Sequence, residues 1–329
     1  MKSLVTGGAG FIGSNLVDLL IKHKHKVIVL DNFSTGRRSN LKGHSKKKLK
    51  IVNADISKNK DLKKYFSGVD YVFHLAGLAD IVPSIENPKK YFNSNVVGTF
   101  NIIKHSKDAK VKKFIYAASA SCYGLPKKFP TKENSPIKPM YPYALTKWQA
   151  EEIVMHWSKV FNFPAISLRF FNCYGPRSRT TGAYGAVFGV FLAQKLANKP
   201  LTIVGDGKQT RDFIHVSDLV RAVFKSAKSK KIGEIYNLAG GKEVSVNKIA
   251  RLIGGKTIKI PKRPGEPDRS LGDIKKIKKH LNWKPKVKIE NGVKNLLENI
   301  NSFKDAPVWT PKKIKKATKI WFKLLKNAK

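Results

Sequence analysis

Disulfides and membrane spans are both disfavoured by what this 329-residue sequence lacks. Only two cysteines are present, Cys122 and Cys173, so no disulfide framework is expected. No uninterrupted apolar run approaches the roughly 18 residues that a bilayer-spanning helix needs. The opening residues carry one lysine and then glycines, which is not the pattern of a secretory signal. We therefore expect a protein of the reducing cytoplasm.

Acidic residues are scarce as well, because 22 Asp and Glu against 65 Lys and Arg give a net charge of +43. Such a field can attract nucleic acid, anionic lipid or phosphorylated substrates. However, arginine, the better ligand for bases and phosphates, supplies only 10 of the basic residues, and the lysines are spread along the whole chain. This favours a general lysine bias, and we expect no nucleic-acid partner. With 41% hydrophobic and 10% aromatic residues, disorder is excluded.

Short apolar runs alternate with longer helical patterns through the first 170 residues. The predicted strands are Ser3–Thr6, Val27–Leu30, Leu49–Val52, Tyr71–His74, Lys113–Ala117 and Ala165–Phe170. The main predicted helices are Phe11–His23, Asn95–Lys107 and Tyr143–Phe161. This alternation predicts an α/β fold with a doubly wound parallel sheet covered on both faces. After Phe171 the pattern breaks into loops, Glu234–Leu238 returns as one more strand, and the rest is predicted to form a smaller, discontinuous C-terminal lobe.

A glycine-rich turn joins the first strand to the first helix, with the spacing Gly7-x-x-Gly10-x-x-Gly13. These glycines permit a tight turn, close approach of a pyrophosphate and close helix–strand packing, and the helix N-terminus favours the phosphates. Asp31 ends the second strand about twenty residues later, where a carboxylate can accept from the ribose hydroxyls of an adenosine. The turn therefore predicts a Rossmann-type dinucleotide site that prefers NAD to NADP, although two arginines follow Asp31 closely.

Tyr143 and Lys147 lie four residues apart on a predicted helix and so share one face. A phenol has a pKa near 10 and needs a neighbouring cation to act as a base at neutral pH. We expect Lys147, with the positive ring of an oxidised nicotinamide, to supply that stabilisation. Ser119 and Ser121 follow the strand at 113–117, at the carboxyl edge where such sheets bind ligands.

Taken together, these motifs resemble the extended short-chain dehydrogenases/reductases of the nucleotide-sugar epimerase/dehydratase group, over about residues 1–300. The resemblance is closest to the UDP-glucose and UDP-N-acetylglucosamine 4-epimerases. It rests on Thr6–Gly13, Asp31–Asn32, Asp55–Ile56, His74–Gly77, Asn95–Thr99, the Ser119, Tyr143 and Lys147 set, Phe171–Arg177, Gly205–Asp212 and Arg263–Glu266.

The resemblance implies a role for each matching residue. The catalytic set is Ser119, Tyr143 and Lys147. The residues implied to hold a tightly bound NAD are Gly7, Gly10, Phe11, Ile12, Gly13, Asp31, Asn32, Asp55, Ile56, Leu75, Ala76, Gly77, Asn95, Tyr143, Lys147 and Phe170. The residues implied to bind the nucleotide-diphosphate sugar are Ser121, Asn172, Arg211, Arg263, Glu266 and Ser270. No metal site is expected.

The same resemblance implies the domain organisation. The NAD-binding Rossmann domain is predicted to span residues 1–172 with about 212–240, and the sugar-binding lobe about 173–211 with 241–308. The helices at 95–107 and 143–161 are where this family pairs its subunits, so a homodimer is expected.

The predicted reaction is 4-epimerisation, because an elimination needs a general acid beside the leaving group. Dehydratases and decarboxylases of the group carry an acidic residue where this chain has Ser121, and Ala120 is no acid either. Ser270 is small where a tyrosine restricts some relatives to plain hexoses, so UDP-N-acetylhexosamines are expected to fit. A UDP-glucuronate 4-epimerase, another epimerase/dehydratase of the group, and a non-catalytic NAD-binding or RNA-associated protein remain as alternatives.

Residues 309–329 lie beyond the family core and combine an apolar helical stripe with lysines on the opposite side. A basic amphipathic helix of this kind can lie on an anionic membrane. The favoured alternative is a final helix that docks on its own domain while its lysines remain solvated.

Overall fold

The structure is a computed structural model that describes residues 1–58, 62–178 and 186–325. Its strands are β1 (Lys2–Thr6), β2 (Lys26–Asp31), β3 (Leu49–Asn53), β4 (Tyr71–His74), β5 (Lys113–Ser119), β6 (Ala165–Phe170), β7 (Asn172–Tyr174), β8 (Leu201–Val204), β9 (Thr210–His215), β10 (Glu234–Leu238), β11 (Glu243–Ser245) and β12 (Thr257–Ile260). Its α-helices are α1 (Phe11–Lys22), α2 (Ile81–Glu86), α3 (Pro88–Phe92), α4 (Gly98–Asp108), α5 (Pro142–Val160), α6 (Val187–Leu196), α7 (Val216–Lys228), α8 (Val246–Ile253), α9 (Lys275–Leu281), α10 (Ile289–Glu298), α11 (Pro311–Ala317) and α12 (Lys319–Leu325).

A seven-stranded sheet in the order β10-β6-β5-β4-β1-β2-β3 forms the centre, and all its strand pairs are parallel. The predicted doubly wound sheet is thus confirmed, and its strands match the predicted ones to within two residues at each end. Successive side chains of a strand point to opposite faces, so both faces of these apolar strands need cover. Val5 of β1 packs with α1 and α7, whereas its neighbour Leu4 packs with α4 and α5.

The region after Phe171 is more ordered than the sequence pattern indicated. Strands β11, β9 and β7 form a small sheet, β8 pairs with β12, and the helices α6, α8 and α10 surround a second hydrophobic core. The expectation of loops was therefore wrong for much of this region. Helix α6 shows little apolar periodicity because most of its residues are buried, so no polar face marks it as a helix. The proposed domain boundaries at 172, 212 and 240 stay a prediction.

The C-terminal tail forms two short docked helices rather than one long helix. The break falls at Thr318, whose buried hydroxyl donates to the Ile314 carbonyl. Ile314 enters the second core, while Trp321 and Leu325 pack on Val82 of α2. This agrees with the favoured, docked alternative, and the last four residues of the tail lie outside the described residues. Within the described ranges, no helix is long and apolar enough to cross a bilayer.

A buried ion pair joins helix α5 to the central sheet. The Arg169 guanidinium on β6 donates through Nε to Glu151 Oε1 at 2.9 Å, and it also donates to the Tyr123 hydroxyl at 2.8 Å. Ser167 donates to the other Glu151 oxygen at 2.7 Å. Glu151 lies one helical turn beyond Lys147, so this network fixes the part of α5 that carries the predicted catalytic pair.

Replacing Glu151 by Ala is expected to lower the free energy of unfolding by about 3–5 kcal/mol, because the Arg169 charge would stay buried without a partner. Urea unfolding followed by circular dichroism measures the change. As a control, Asp108→Ala removes the exposed Lys104–Asp108 pair of α4 and is expected to cost at most about 0.5 kcal/mol. Similar losses in the two variants would show that the fold does not depend on the buried pair.

Candidate active site

A cavity of about 670 Å³ lies at the carboxyl ends of the sheet strands. Nearly all the residues predicted from the sequence to form the site line this cavity, and they come from both halves of the chain. They are Gly7, Gly10, Phe11, Ile12, Gly13, Asp31, Asn32, Asp55, Ile56, Leu75, Ala76, Gly77, Ser119, Ser121, Tyr143, Lys147, Phe170, Asn172, Arg211, Arg263, Glu266 and Ser270. The exception is Asn95, which is not among the lining residues.

The glycine turn has the geometry of a phosphate cradle. Gly7 adopts a left-handed φ of +68°, and a Cβ on it would lie 2.7 Å from the Ala76 nitrogen. A Cβ on Gly13 would lie 2.1 Å from the Gly7 carbonyl oxygen, so any side chain there would separate α1 from the turn. Gly10 precedes α1 without a capping side chain, which leaves first-turn N–H groups available to an anion.

Asp31 ends β2 beside this turn, Asp55 follows β3, and both residues line the cavity. The Asp31 carboxylate accepts hydrogen bonds from the backbone N–H groups of Ala9 at 2.9 Å and Phe33 at 2.8 Å. Burial raises the pKa of Asp31, and these two bonds oppose that shift. Each carboxylate oxygen keeps a further lone pair that can accept from a ribose hydroxyl. The glycine turn, the N-terminus of α1 and the Asp31 carboxylate together fit a dinucleotide such as NAD.

Asn95 supports the cavity wall and is not among the lining residues, so its expected cofactor contact stays a prediction. Its side chain accepts from the Leu78 N–H at 2.8 Å and donates to the Leu78 carbonyl at 3.1 Å. It also donates to the Thr146 hydroxyl on α5 at 3.1 Å. A side-chain amide can hydrogen-bond both the N–H and the carbonyl of one residue. Asn95 does so at Leu78, and with its bond to Thr146 it joins the loop after β4 to helix α5. The sequence motif was recognised, but its side-chain direction could not be read from it.

The same wall rests on a buried histidine. His74 makes hydrogen bonds through its two ring nitrogens, to the Thr6 hydroxyl at 2.7 Å and the Thr99 hydroxyl at 2.8 Å. Burial, with a smaller effect from the Lys147 charge, lowers the pKa of His74 to about 3, so the ring is neutral. Thr6 in turn accepts from the Ala76 N–H at 3.1 Å, which fixes the loop beside the glycine turn.

Tyr143 and Ser119 are joined by a hydrogen bond of 3.1 Å in which the phenol donates to Ser119 Oγ. Ser119 Oγ also accepts from the Ser121 N–H at 3.2 Å and lies 2.8 Å from Ser121 Oγ. Because a hydroxyl has one proton and two lone pairs, Ser119 is left to donate to Ser121. The three groups therefore form a short chain of hydroxyls that opens into the cavity.

The pKa of Tyr143 runs against the expectation that Lys147 depresses it. Burial raises this pKa, the hydrogen bonds of Ser119 and Ser121 lower it, and the charge of Asp80 raises it. Burial also lowers the pKa of Lys147 to about 7, with an opposing effect from Glu151. The Lys147 ammonium lies 4.3 Å from the centroid of the Tyr116 ring. The chain alone therefore does not prepare a phenolate, and an additional positive charge is needed in the cavity.

One part of the cavity wall carries two arginines that share one carboxylate. Arg211 donates to Glu266 at 2.9 Å, and Arg263 lies 3.5 Å from the other Glu266 oxygen. Asn172 donates to the Asp212 carbonyl at 3.3 Å. Two guanidinium groups at one end offer forked donors suited to a diphosphate. Ser270 also lines the cavity.

Asp212 fixes the loops behind this end. Its fully buried carboxylate accepts from the N–H groups of Gly240 at 2.6 Å, Gly241 at 3.0 Å and Gly272 at 3.1 Å. Burial raises the pKa of Asp212 to about 7, and the backbone hydrogen bonds oppose the shift. The sequence motif included Asp212 without assigning it a role. Its neighbour Arg211 is thereby positioned at the cavity.

Among the further lining residues that the sequence reasoning missed are Asp80, Tyr141 and Trp321. Tyr141 stacks on Tyr143 with ring centroids 6.2 Å apart, and its place two residues before Tyr143 was a signal that could have been used. Trp321 comes from the tail, which had been placed outside the family core. Its position depends on how the tail docks, and no local pattern indicates that.

Comparison with known proteins gives a family and several similar enzymes. Residues 3–239 match the family described as "NAD dependent epimerase/dehydratase family". A protein of Methanocaldococcus jannaschii, provisionally named UDP-glucose 4-epimerase, is 38% identical over 89% of this chain and 96% of its own length. UDP-glucuronic acid decarboxylase 1 of Arabidopsis thaliana is 33% identical over 92% of this chain and 70% of its own. The similar proteins thus carry out more than one reaction.

Solved structures agree with this fold over almost the whole chain. A UDP-N-acetylglucosamine 4-epimerase from Methanobrevibacter ruminantium M1, in complex with UDP-N-acetylmuramic acid, has a TM-score of 0.87 and 32% identity, covering 92% of this chain and 98% of its own. A UDP-glucuronic acid 4-epimerase from Bacillus cereus, in complex with UDP-glucuronic acid and NAD, has a TM-score of 0.84 and 32% identity, covering 92% and 99%.

Replacing Lys147 by Met is expected to stabilise the NAD-free protein in a pH-dependent way. The pKa of Lys147 falls from an ordinary 10.5 to about 7 on folding, so burying its charge costs nothing above pH 10.5. The cost grows as the pH falls from 10.5 to about 7 and is complete below that. The melting temperature of Lys147→Met should therefore exceed that of the wild type more at pH 7 than at pH 9.5.

Thermal unfolding at the two pH values measures this difference. Lys104→Met, on the exposed side of α4, is the matched control and should show no such trend. A difference between Lys147→Met and the wild type that stays constant across this range would contradict the lowered pKa of Lys147.

Proposed function

The chain belongs to the NAD-dependent epimerase/dehydratase family, and we propose that it is an NAD-dependent 4-epimerase of a UDP-sugar. One observation carries the proposal: the segment facing Tyr143, from Ser119 to Tyr123, presents two serine hydroxyls to the cavity and no carboxylic acid. Elimination of water requires a general acid beside the leaving group. A segment that offers only hydroxyls beside Tyr143, and no acid to protonate a leaving group, suits oxidation and re-reduction at a single carbon.

The proposed mechanism begins with proton removal at the C4 hydroxyl of the sugar. When bound, NAD supplies the acceptor for the C4 hydride and its source on return. Tyr143 takes the hydroxyl proton as phenolate, and Ser119 turns its own proton toward the reacting oxygen. Lys147 contributes positive charge beside Tyr143, and the low dielectric of the closed site strengthens both effects.

Inversion requires the 4-keto sugar to present its other face while its nucleotide stays in place. Arg211 and Arg263 are suited to hold the diphosphate, since together they offer several N–H donors to its oxygens. Glu266 lies between the two arginines and limits their repulsion before the substrate arrives. The sugar is then free to rotate about the held diphosphate, and Tyr143 returns the proton.

Substrate choice is proposed to follow from Ser270. Its small side chain leaves room on the cavity wall for an N-acetyl group, so UDP-GlcNAc and UDP-GalNAc are the proposed pair, with UDP-glucose and UDP-galactose also accepted. UDP-glucuronate is the second candidate, because Arg211, Arg263 and Arg269 give the cavity a positive wall that would tolerate a carboxylate.

We also infer a homodimer formed through the α4 and α5 face. Several large apolar side chains are exposed on these helices or directly beside them: Phe92 (44%), Phe100 (44%), Leu145 (39%), Val160 (54%) and Phe161 (47%). Phe100 and Trp157 already pack edge to face across the two helices, with centroids 5.8 Å apart. Exposed apolar side chains of this kind typically mark an interaction surface, and the same surface of a second copy suits it by symmetry.

Tyr143→Phe is expected to lower kcat for UDP-sugar interconversion about 10²–10⁴-fold, because the base that accepts the C4 proton is lost. Bound NAD should be unchanged, since the ring and its packing remain. Product analysis by NMR with UDP-GlcNAc measures the rate, and absorbance after denaturation measures the cofactor. Full activity in Tyr143→Phe, or a wild-type product that has lost water or carbon dioxide, would overturn the proposal. Turnover of no nucleotide sugar by the wild type would favour the non-catalytic alternative.

Ser270→Tyr is expected to lower kcat/KM for UDP-GlcNAc relative to UDP-glucose by about 10–200-fold, because a phenol would fill the space proposed for the N-acetyl group. Paired kinetics on the two substrates give the ratio directly. Ser270→Ala, which keeps the space open, is the control and should leave the ratio near that of the wild type. An unchanged ratio in Ser270→Tyr would dismiss this residue as the determinant.

A further inference from the structure

The end of the C-terminal tail contributes a wall to the substrate side of the cavity. Trp321 on α12 lines the cavity although its side chain is almost fully buried. The family match ends at residue 239, so this wall comes from chain outside the matched region. Trp321 makes two different interactions, one with a backbone carbonyl and one with a charged side chain.

Both interactions fall on the loop segment that contains Arg263. The indole N–H donates to the Pro264 carbonyl at 2.8 Å, which holds the backbone. The Arg263 guanidinium lies over the indole ring, 5.5 Å from its centroid, which orients the side chain. Trp is the best aromatic partner for a cation, and the contact gains strength where water is excluded. One tail residue thus fixes the peptide and the charged group of the same turn.

The neighbouring residues of α12 strengthen the contact. Gly265 has a left-handed φ of +69°, and a Cβ on it would lie 3.9 Å from Leu325, so the turn and the helix are in close contact. On the opposite side, Trp321 and Leu325 pack on Val82 of α2 and on Tyr141, which stacks on Tyr143. Helix α12 therefore bridges the 263–265 turn and the α2 side of the cavity.

We propose that Trp321 is a positioning residue of the substrate site, which holds Arg263 in the orientation that grips the diphosphate of the UDP-sugar. This inference rests on the proposed function for the identity of the ligand. It also gives the apolar stripe of the tail a role inside the protein, because Ile314, Trp321 and Leu325 are all buried against the body of the chain.

The test uses point variants of the full chain, since deleting the tail would also remove Ile314 from the second core. Trp321→Ala is expected to raise the Kd for UDP and the KM for the UDP-sugar about tenfold, through loss of one hydrogen bond and one cation–π contact. Changes in kcat should stay within about twofold, because the reacting groups are untouched. Trp321→Phe keeps a ring under Arg263 and loses the N–H, so an intermediate rise of about threefold is expected. Leu324→Ala, at a 54% exposed position of the same helix, is the matched control and should behave like the wild type.

Calorimetric titration with UDP alone, kinetics and bound NAD separate the outcomes. Weaker UDP binding with unchanged NAD content supports the positioning role. Unchanged UDP affinity in Trp321→Ala overturns it, as does a parallel loss of UDP affinity, NAD and kcat, which would mean general damage. If Trp321→Ala does not fold, Trp321→Phe decides by the same criteria. If the wild type binds UDP but interconverts no UDP-sugar, the proposed function is wrong and this inference is unaffected. If the wild type does not bind UDP, both are wrong.

Discussion

The hydrogen bond between the Tyr143 phenol and Ser119 is the interaction on which the proposed chemistry depends. It lies in a site where burial raises the pKa of the phenol and lowers that of the neighbouring lysine, so desolvation opposes both charges that catalysis requires. A ligand that brings positive charge close to the phenol would oppose this shift and favour the phenolate. In the proposed mechanism the positive charge of bound NAD therefore supports the ionised phenol by electrostatics.

Several buried polar contacts hold the helix that carries this phenol and the loops around the cavity in place. Glu151, two turns along α5 from Tyr143, is tied to Arg169 on β6, and Asn95 ties the same helix to the loop after β4. Asp212 holds two loops together behind Arg211, the β10–β11 loop and the segment at Gly272. These are buried polar groups with several partners each, and such networks specify one arrangement because every alternative leaves a donor or acceptor unsatisfied.

The sequence allowed the sheet and most of the cavity to be predicted because their signals are local. The apolar runs of β1 and β2 and the Gly7–Gly13 spacing each follow from one short stretch of chain. The hydrogen bonds of Asn95 to Leu78 and Thr146 could not be predicted, because a motif names a residue but not the direction of its side chain. Helix α6 was missed because a buried helix has no polar face, and Trp321 because its place depends on contacts with residues far away in sequence, such as Pro264.

The composition of the cavity explains why the large positive charge says little about function. Among the described residues that line it, Lys147 is the one lysine, although the sequence contains 55. Arginine supplies 10 basic residues in all, yet Arg211, Arg263 and Arg269 line the same cavity. A planar guanidinium stays charged when half-buried and offers paired donors, whereas a buried lysine loses its proton readily. The lysine excess thus lies almost wholly outside the cavity, whose described lining carries three arginines and a single lysine with a lowered pKa.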